Sequence, residues 1–216
     1  MSTRSEHPLR VTLFDYGAGN LHSLLKTLES DDVQVRVESD ATQLLVGTDA
    51  LVLPGVGAFA HAASRLEPGR EAVTAALQDG LPALCICLGM QLLFDESDEG
   101  PGNGLGLLRG RVTRLRSNRI PQIGWNEIVW TEEAQSTLDV AYYANSFVCR
   151  PDDASRSNVI GWSEHDGDRF PAVVRYHETC GAQFHPEKSS EPGVQFVRAF
   201  LDRARHVRDT ERKDDR

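Results

Sequence analysis

The sequence contains no hydrophobic run that could cross a bilayer as a helix. Its most apolar stretch, residues 82–94, is 13 residues long and includes Gly89 and Gln91, against the roughly 20 apolar residues a spanning helix requires. Residues 1–8 are polar and lack the apolar centre of a secretion signal. Cysteine is scarce. Cys85, Cys87, Cys149 and Cys180 are the four, and their spacing matches neither a zinc site nor a secreted disulfide framework. Free thiols of this kind fit a cytoplasmic protein. Positive charge is also in short supply: 32 Asp and Glu outnumber 23 Lys and Arg, for a net charge of −9. That balance disfavours nucleic acid and anionic membrane as partners. No repeat and no linker divides the 216 residues, a length that suits one domain able to bury a core without disulfides or metal.

What is present alternates. Residues 9–14 read as a strand, followed by the turn Asp15-Tyr16-Gly17-Ala18-Gly19. Asn20 then caps a helix over 21–29, with Leu21, Leu24, Leu25 and Leu28 on one face. Val33, Val35 and Val37 alternate with polar residues as in a strand. Further strands are expected at 49–53 and 82–86, a helical region at 59–78, and a helix beginning at 88–95. The second half offers short strands at 111–115, 126–130, 141–147, 159–163, 172–176 and 181–184, then a helix over 192–204. Residues 205–216 mix both charges densely and read as a frayed tail. Strands alternating with helices imply βαβ units. The fold class is α/β, a mostly parallel central sheet with flanking helices and added antiparallel strands in the second half.

Three segments could carry chemistry. In Leu84-Cys85-Ile86-Cys87-Leu88-Gly89-Met90-Gln91 an apolar strand runs into Cys87 and a helix follows at once. A sharp strand-to-helix turn lifts a nucleophile clear of the backbone, and the N–H groups starting the helix favour thiolate. Leu88 N–H is the natural first oxyanion donor. A buried core thiol accounts for this segment equally well, and Cys85 competes for the role. In Gln183-Phe184-His185-Pro186-Glu187-Lys188-Ser189, the histidine and glutamate are two residues apart, so extended backbone projects them to one side. They could serve as base and orienting carboxylate, or as a surface histidine beside a solvated glutamate. Pro54-Gly55-Val56-Gly57 closes a strand where backbone N–H groups could meet an anion, or it is an ordinary turn.

Taken together and in order, these segments resemble the class I, triad-type glutamine amidotransferases. Cys87-Leu88-Gly89-Met90-Gln91 and Phe184-His185-Pro186-Glu187 mark the wider class. Asp15-Tyr16-Gly17-Ala18-Gly19-Asn20-Leu21, Pro54-Gly55-Val56-Gly57-Ala58-Phe59 and Gly124-Trp125-Asn126 are similar to the glutaminase subunits of imidazole glycerol phosphate synthases. The resemblance spans residues 9–204 as a single amidotransferase domain, between a flexible segment 1–8 and the charged tail.

The resemblance implies that Cys87 attacks the side-chain amide of glutamine, that His185 relays protons and that Glu187 holds the imidazole. It places Val56 and Leu88 at the oxyanion and Gly55, Gln91, Ser146 and Phe147 around the glutamine. Asn20, Trp125 and Asn126 fall on the surface facing a separate (β/α)8 cyclase, with which the chain forms a heterodimer. No cofactor and no metal are implied. The ammonia would go to imidazole glycerol phosphate and aminoimidazole carboxamide ribotide in histidine biosynthesis, and 216 residues leave no room for the synthase itself. Three residues depart from the family pattern. Cys85 stands where glycine is usual, and Asn145 and Gln122 stand where histidines are usual. They leave open a paralogue feeding another synthase, with a thiol hydrolase or peptidase as a further alternative.

Overall fold

A computed structural model describes residues 8–17, 21–134 and 136–214. The segment 1–7 and Asn20, for which the sequence carried expectations, lie outside the described residues. In chain order the elements are β1 (Leu9–Phe14), α1 (His22–Leu28), β2 (Val33–Glu38), β3 (Ala50–Leu53), α2 (Phe59–Leu66), α3 (Arg70–Gln78), β4 (Ala83–Ile86) and α4 (Leu88–Gln91). There follow β5 (Phe94–Ser97), β6 (Leu108–Arg114), β7 (Gln122–Glu127), β8 (Val129–Trp130), β9 (Val140–Asn145), β10 (Phe147–Pro151), β11 (Val159–His165), β12 (Asp168–Tyr176), β13 (Thr179–Ala182) and α5 (Ser190–Asp214).

Eight strands form the central sheet in the order β2-β1-β3-β4-β13-β12-β11-β8. The first five are parallel, and β12, β11 and β8 extend the sheet antiparallel. The α/β class with antiparallel additions is the observed architecture. Parallel strands are covered on both faces, which explains why β3 and β4 are buried at every residue. Alternate side chains divide between two cores. Val52, Leu84 and Ile86 meet Leu24 and Leu28 of α1 and Val197, Leu201 and Ala204 of α5. Leu51, Leu53 and Cys85 meet Ala62 and Leu66 of α2 and Val73 and Leu77 of α3. A third core, around Tyr143, Phe170 and Phe184, fills the antiparallel end.

Two smaller sheets stand beside the main one, β10-β6-β5 and β7-β9. The single strands expected at 126–130 and 141–147 are each two strands, divided between sheets at Ile128 and Ser146. Period-2 alternation cannot reveal such a change of partner. The helix expected from 88 to 95 is one turn. Leu92, Leu93 and Phe94 are wholly buried, so this stretch has no polar face for an amphipathic helix, and Phe94 instead pairs in parallel with Leu108. The expected frayed tail is instead helical through Asp214. Arg205 binds Asp32 of the body and Asp202 one turn back, and Arg208 is buried. The dense charge is thus the polar lattice of a long docked helix.

Because β1, β3, β4 and β13 run parallel, the segments that leave them emerge at one edge of the sheet. Since β3, β4 and β13 are neighbours, the loop 54–57, Cys87 and the segment from Gln183 onward converge there. Gly89 is what allows the turn after β4. A Cβ at that position would lie 2.1 Å from the Leu53 carbonyl oxygen. Backbone cannot yield as a side chain can. Gly89→Ala is therefore expected to cost at least the roughly 1–3 kcal/mol of an overpacked core, read as a lower urea midpoint with unchanged slope.

Candidate active site

Cys87 has φ +46° and ψ −100°, a conformation that L-residues avoid and that costs of order 1–3 kcal/mol. Its neighbours hold it there. Its N–H donates to the Ala182 carbonyl at 2.6 Å, and its carbonyl accepts from Gln91 N–H at 3.1 Å. The residue is thus pinned between the end of β13 and the single turn of α4. A one-turn helix has little summed dipole, so the field at the sulfur comes chiefly from the free N–H groups of that turn, Leu88 among them, and from His185.

Cys85 and Cys87 part company here. Cys85 lies within β4, packed against Leu53 and Gly181 in register, and burial followed by the neighbouring Cys180 raises its pKa well above that of a free thiol. Burial likewise pushes Cys149 up, and lifts Cys180 to about 11. These three thiols are held protonated. Cys87 alone sits at the turn.

His185 is almost completely buried. Its Nδ1 lies 2.8 Å from Glu187 Oε1, which leaves Nε2 for the sulfur. Burial acts to lower the imidazole pKa. Hydrogen bonding to Cys87 and to Glu187, with the charges of both, outweighs it and pushes the pKa up to about 10. The imidazole therefore stands between the Cys87 sulfur and the Glu187 carboxylate and is held in its protonated form. The backbone of His185 is fixed too. Its N–H donates to the Tyr142 carbonyl at 2.8 Å, and the buried Ser189 hydroxyl donates to the His185 carbonyl at 2.7 Å while accepting Tyr142 N–H at 2.9 Å. No local pattern signals this serine clamp, which joins Ser189 to a residue 47 positions away.

The loop 54–57 presses on the cysteine. A Cβ on Gly55 would come within 2.9 Å of Cys87 Cβ, so glycine is needed for the approach. Leu24, Pro54, Gly55, Val56, His185 and Lys188 line a cavity of about 170 Å³ here. A cavity of about 410 Å³ lies at the start of β13 beside Thr179 and Cys180, the opposite end of the strand from Cys87 and His185. Gln91 Nε2 donates to the Phe147 carbonyl at 3.1 Å, as does Asn145 Nδ2, so the expected glutamine contacts Gln91 and Phe147 are joined directly. Ser146 lies between β9 and β10, and its carbonyl accepts Leu115 N–H.

The antiparallel pair β7–β9 packs beside the segment that carries His185 and Lys188. Ile123 and Trp125 on β7 and Val140 on β9 are large and exposed. They share a face with Tyr142, the register partner of Trp125. Tyr142 meets Trp125 edge-on and carries the Lys188 ammonium over its ring. Asn126 points to the other side and donates to the Glu164 carbonyl. On that other side Gln122 and Asn145 are directly paired and both buried. The two departures from histidine are therefore cross-strand neighbours. Among the described residues no cluster of His, Cys, Asp and Glu is placed to hold a metal ion, and no helix is long and apolar enough to cross a membrane.

The family profile "Glutamine amidotransferase class-I" matches residues 12–204. An imidazole glycerol phosphate synthase subunit HisH from Geobacillus thermodenitrificans is 40% identical over 205 residues, 88% of this chain and 94% of its own length. The subunit of that name from Methanothermobacter thermautotrophicus is 38% identical over 198 residues, 89% of this chain and 98% of its own. Among solved structures, a crystal structure of a glutamine amidotransferase superposes with a TM-score of 0.70 at 19% identity, covering 90% of this chain and 98% of the other. That likeness concerns the fold.

Folding raises the His185 pKa above its ordinary 6.5, so the imidazolium's contribution to stability is complete below that pH and is lost as pH climbs toward about 10. In an NMR titration the His185 ring is expected to stay protonated past neutrality. Cys87→Ala should bring its midpoint down, because a hydrogen bond and a charge go while burial remains. An unmoved midpoint would show that the two side chains do not interact.

Proposed function

The chain belongs to the class I glutamine amidotransferase family, and from that premise we propose that it is the glutaminase subunit of an imidazole glycerol phosphate synthase. The observation that carries this is the His185 imidazole set between the Glu187 carboxylate and Cys87, at the converging ends of β4 and β13.

The Cys87 thiolate attacks the side-chain amide carbon of glutamine. The oxyanion that forms is met by Leu88 N–H and by the loop at Val56. The His185 imidazolium gives its proton to the departing nitrogen, and ammonia leaves behind a γ-glutamyl thioester. The timing follows from electrostatics. The anionic sulfur helps to hold the proton on His185, and acylation removes that charge just when the leaving nitrogen needs the proton. The imidazole, now neutral, accepts a proton from water, water attacks the thioester, and glutamate and thiolate are released. Glu187 keeps Nδ1 occupied throughout, so that Nε2 faces the reaction. Gly55, Gln91, Ser146 and Phe147 surround the glutamine.

The ammonia passes to a separate (β/α)8 cyclase, in a heterodimer, for synthesis of imidazole glycerol phosphate and aminoimidazole carboxamide ribotide in the cytoplasm. The exposed face of Ile123, Trp125 and Val140 supports this partner surface, since such apolar side chains on one hairpin are costly to leave in water. The family resemblance assigns Asn20 and Asn126 to the partner interface as well. No nucleic acid, membrane, cofactor or metal takes part.

Cys87→Ala should lower glutamine-dependent synthesis by the complex more than about a thousandfold while sparing synthesis fed with ammonium salt. Equal loss of both rates would make Cys87 structural. Trp125→Ala should weaken cyclase binding by about thirtyfold, the scale of an aromatic hot spot, without changing thermal stability. Unchanged affinity would move the interface elsewhere.

A further inference from the structure

Gln183 is completely buried and stands outside the triad. Its Nε2 donates to the Cys87 sulfur at 3.4 Å, while its Oε1 is buried without a partner. A buried amide carbonyl left without a hydrogen bond costs free energy, so an apolar side chain of this shape would suit the position better unless the N–H is used. Chain geometry aims that N–H. The register of β13 against β4 pairs Ala182 with Ile86, and one residue further brings Gln183 beside Cys87. The Gln183 backbone N–H is tied to the Ala172 carbonyl at 2.8 Å, which fixes the base of the side chain. His185 is two residues on, past a bend at residues 183–184, and hydrogen-bonds to the same sulfur. Both side chains thus address one sulfur from the segment that leaves β13.

We infer that Gln183 is a further catalytic residue, whose side-chain N–H stabilises the Cys87 sulfur whenever it is anionic. This rests on Cys87 being the nucleophile. A hydrogen bond to a thiolate is charge-assisted and stronger than one to the neutral sulfur of a thioester. Gln183 thus favours the two states in which sulfur carries charge, before attack on the amide carbon and as water expels it from the thioester. His185 gives its proton away during the cycle. The amide of Gln183 does not titrate, so it remains a donor to sulfur after the imidazolium has protonated the leaving nitrogen.

The test is the pH dependence of Cys87 alkylation by iodoacetamide, located by peptide mass spectrometry, in the full chain and in Gln183→Met and Gln183→Glu. Both substitutions should raise the apparent thiol pKa. Alkylation at pH 7 should fall about tenfold, the scale of one hydrogen bond to a charged group, and the Met variant should converge on the unaltered rate at high pH. The Glu variant should shift further, because a carboxylate would face the thiolate. A folded Gln183→Met chain with the unaltered alkylation profile overturns the inference. So does a loss of rate that is uniform across pH, since that would mark a merely structural role. If Gln183→Met does not fold, the near-isosteric Glu variant and the unaltered protein decide. In the ¹⁵N-labelled protein the Gln183 side-chain amide must shift with the midpoint of Cys87 alkylation, and an indifferent resonance overturns the proposal. Cys87→Ala separates this from the reading beneath it. Glutamine hydrolysis that survives Cys87→Ala sinks the nucleophile, whereas loss there with an unmoved Gln183 profile sinks only the role of Gln183.

Discussion

The turn at Cys87 governs the molecule. A non-glycine residue is held at positive φ at the end of a buried strand, and the surrounding structure has to over-determine that conformation for it to persist. It does so from three directions. β13 takes the Cys87 N–H, α4 takes its carbonyl, and Gly89 lets that helix close onto β3. The interior is dense enough that none of these contacts can relax alone. The strain therefore fixes the sulfur relative to three strand ends at once.

Electrostatics then follows from placement. His185 is buried deeply enough that its charged form would be disfavoured, yet Cys87 and Glu187 reverse the balance. In the mechanism proposed above, acylation of Cys87 removes the charge that helps hold this proton, so one imidazole serves first as acid and then as base. The remaining cysteines lie within strands, and burial keeps their thiols protonated. The β7–β9 pair links the site to the outside, because Tyr142 both anchors the His185 backbone and packs against exposed Trp125.

Much of this was legible in the sequence. The alternating apolar patterns of residues 9–86 determined the parallel core, since strands buried on both faces must be apolar throughout. Local motifs marked Cys87, His185 and Glu187, but the extended backbone expected to set the histidine and glutamate on one side is instead a 3₁₀ turn over Pro186–Lys188, which carries Glu187 back to the imidazole. Only tertiary structure decided the rest. Periodicity could not say that the strands expected at 126–130 and 141–147 break to join different sheets, nor that a run of buried leucines after Gln91 prefers pairing to helix. The charged tail read as frayed because its anchor on the body, Asp32, is far away in sequence. The Ser189 clamp, the Gln122–Asn145 pairing and the Gln183 contact with sulfur have the same cause. Each joins residues that become neighbours only when strands distant in sequence are brought together, so the sequence determined which groups could do chemistry and the fold decided which of them meet.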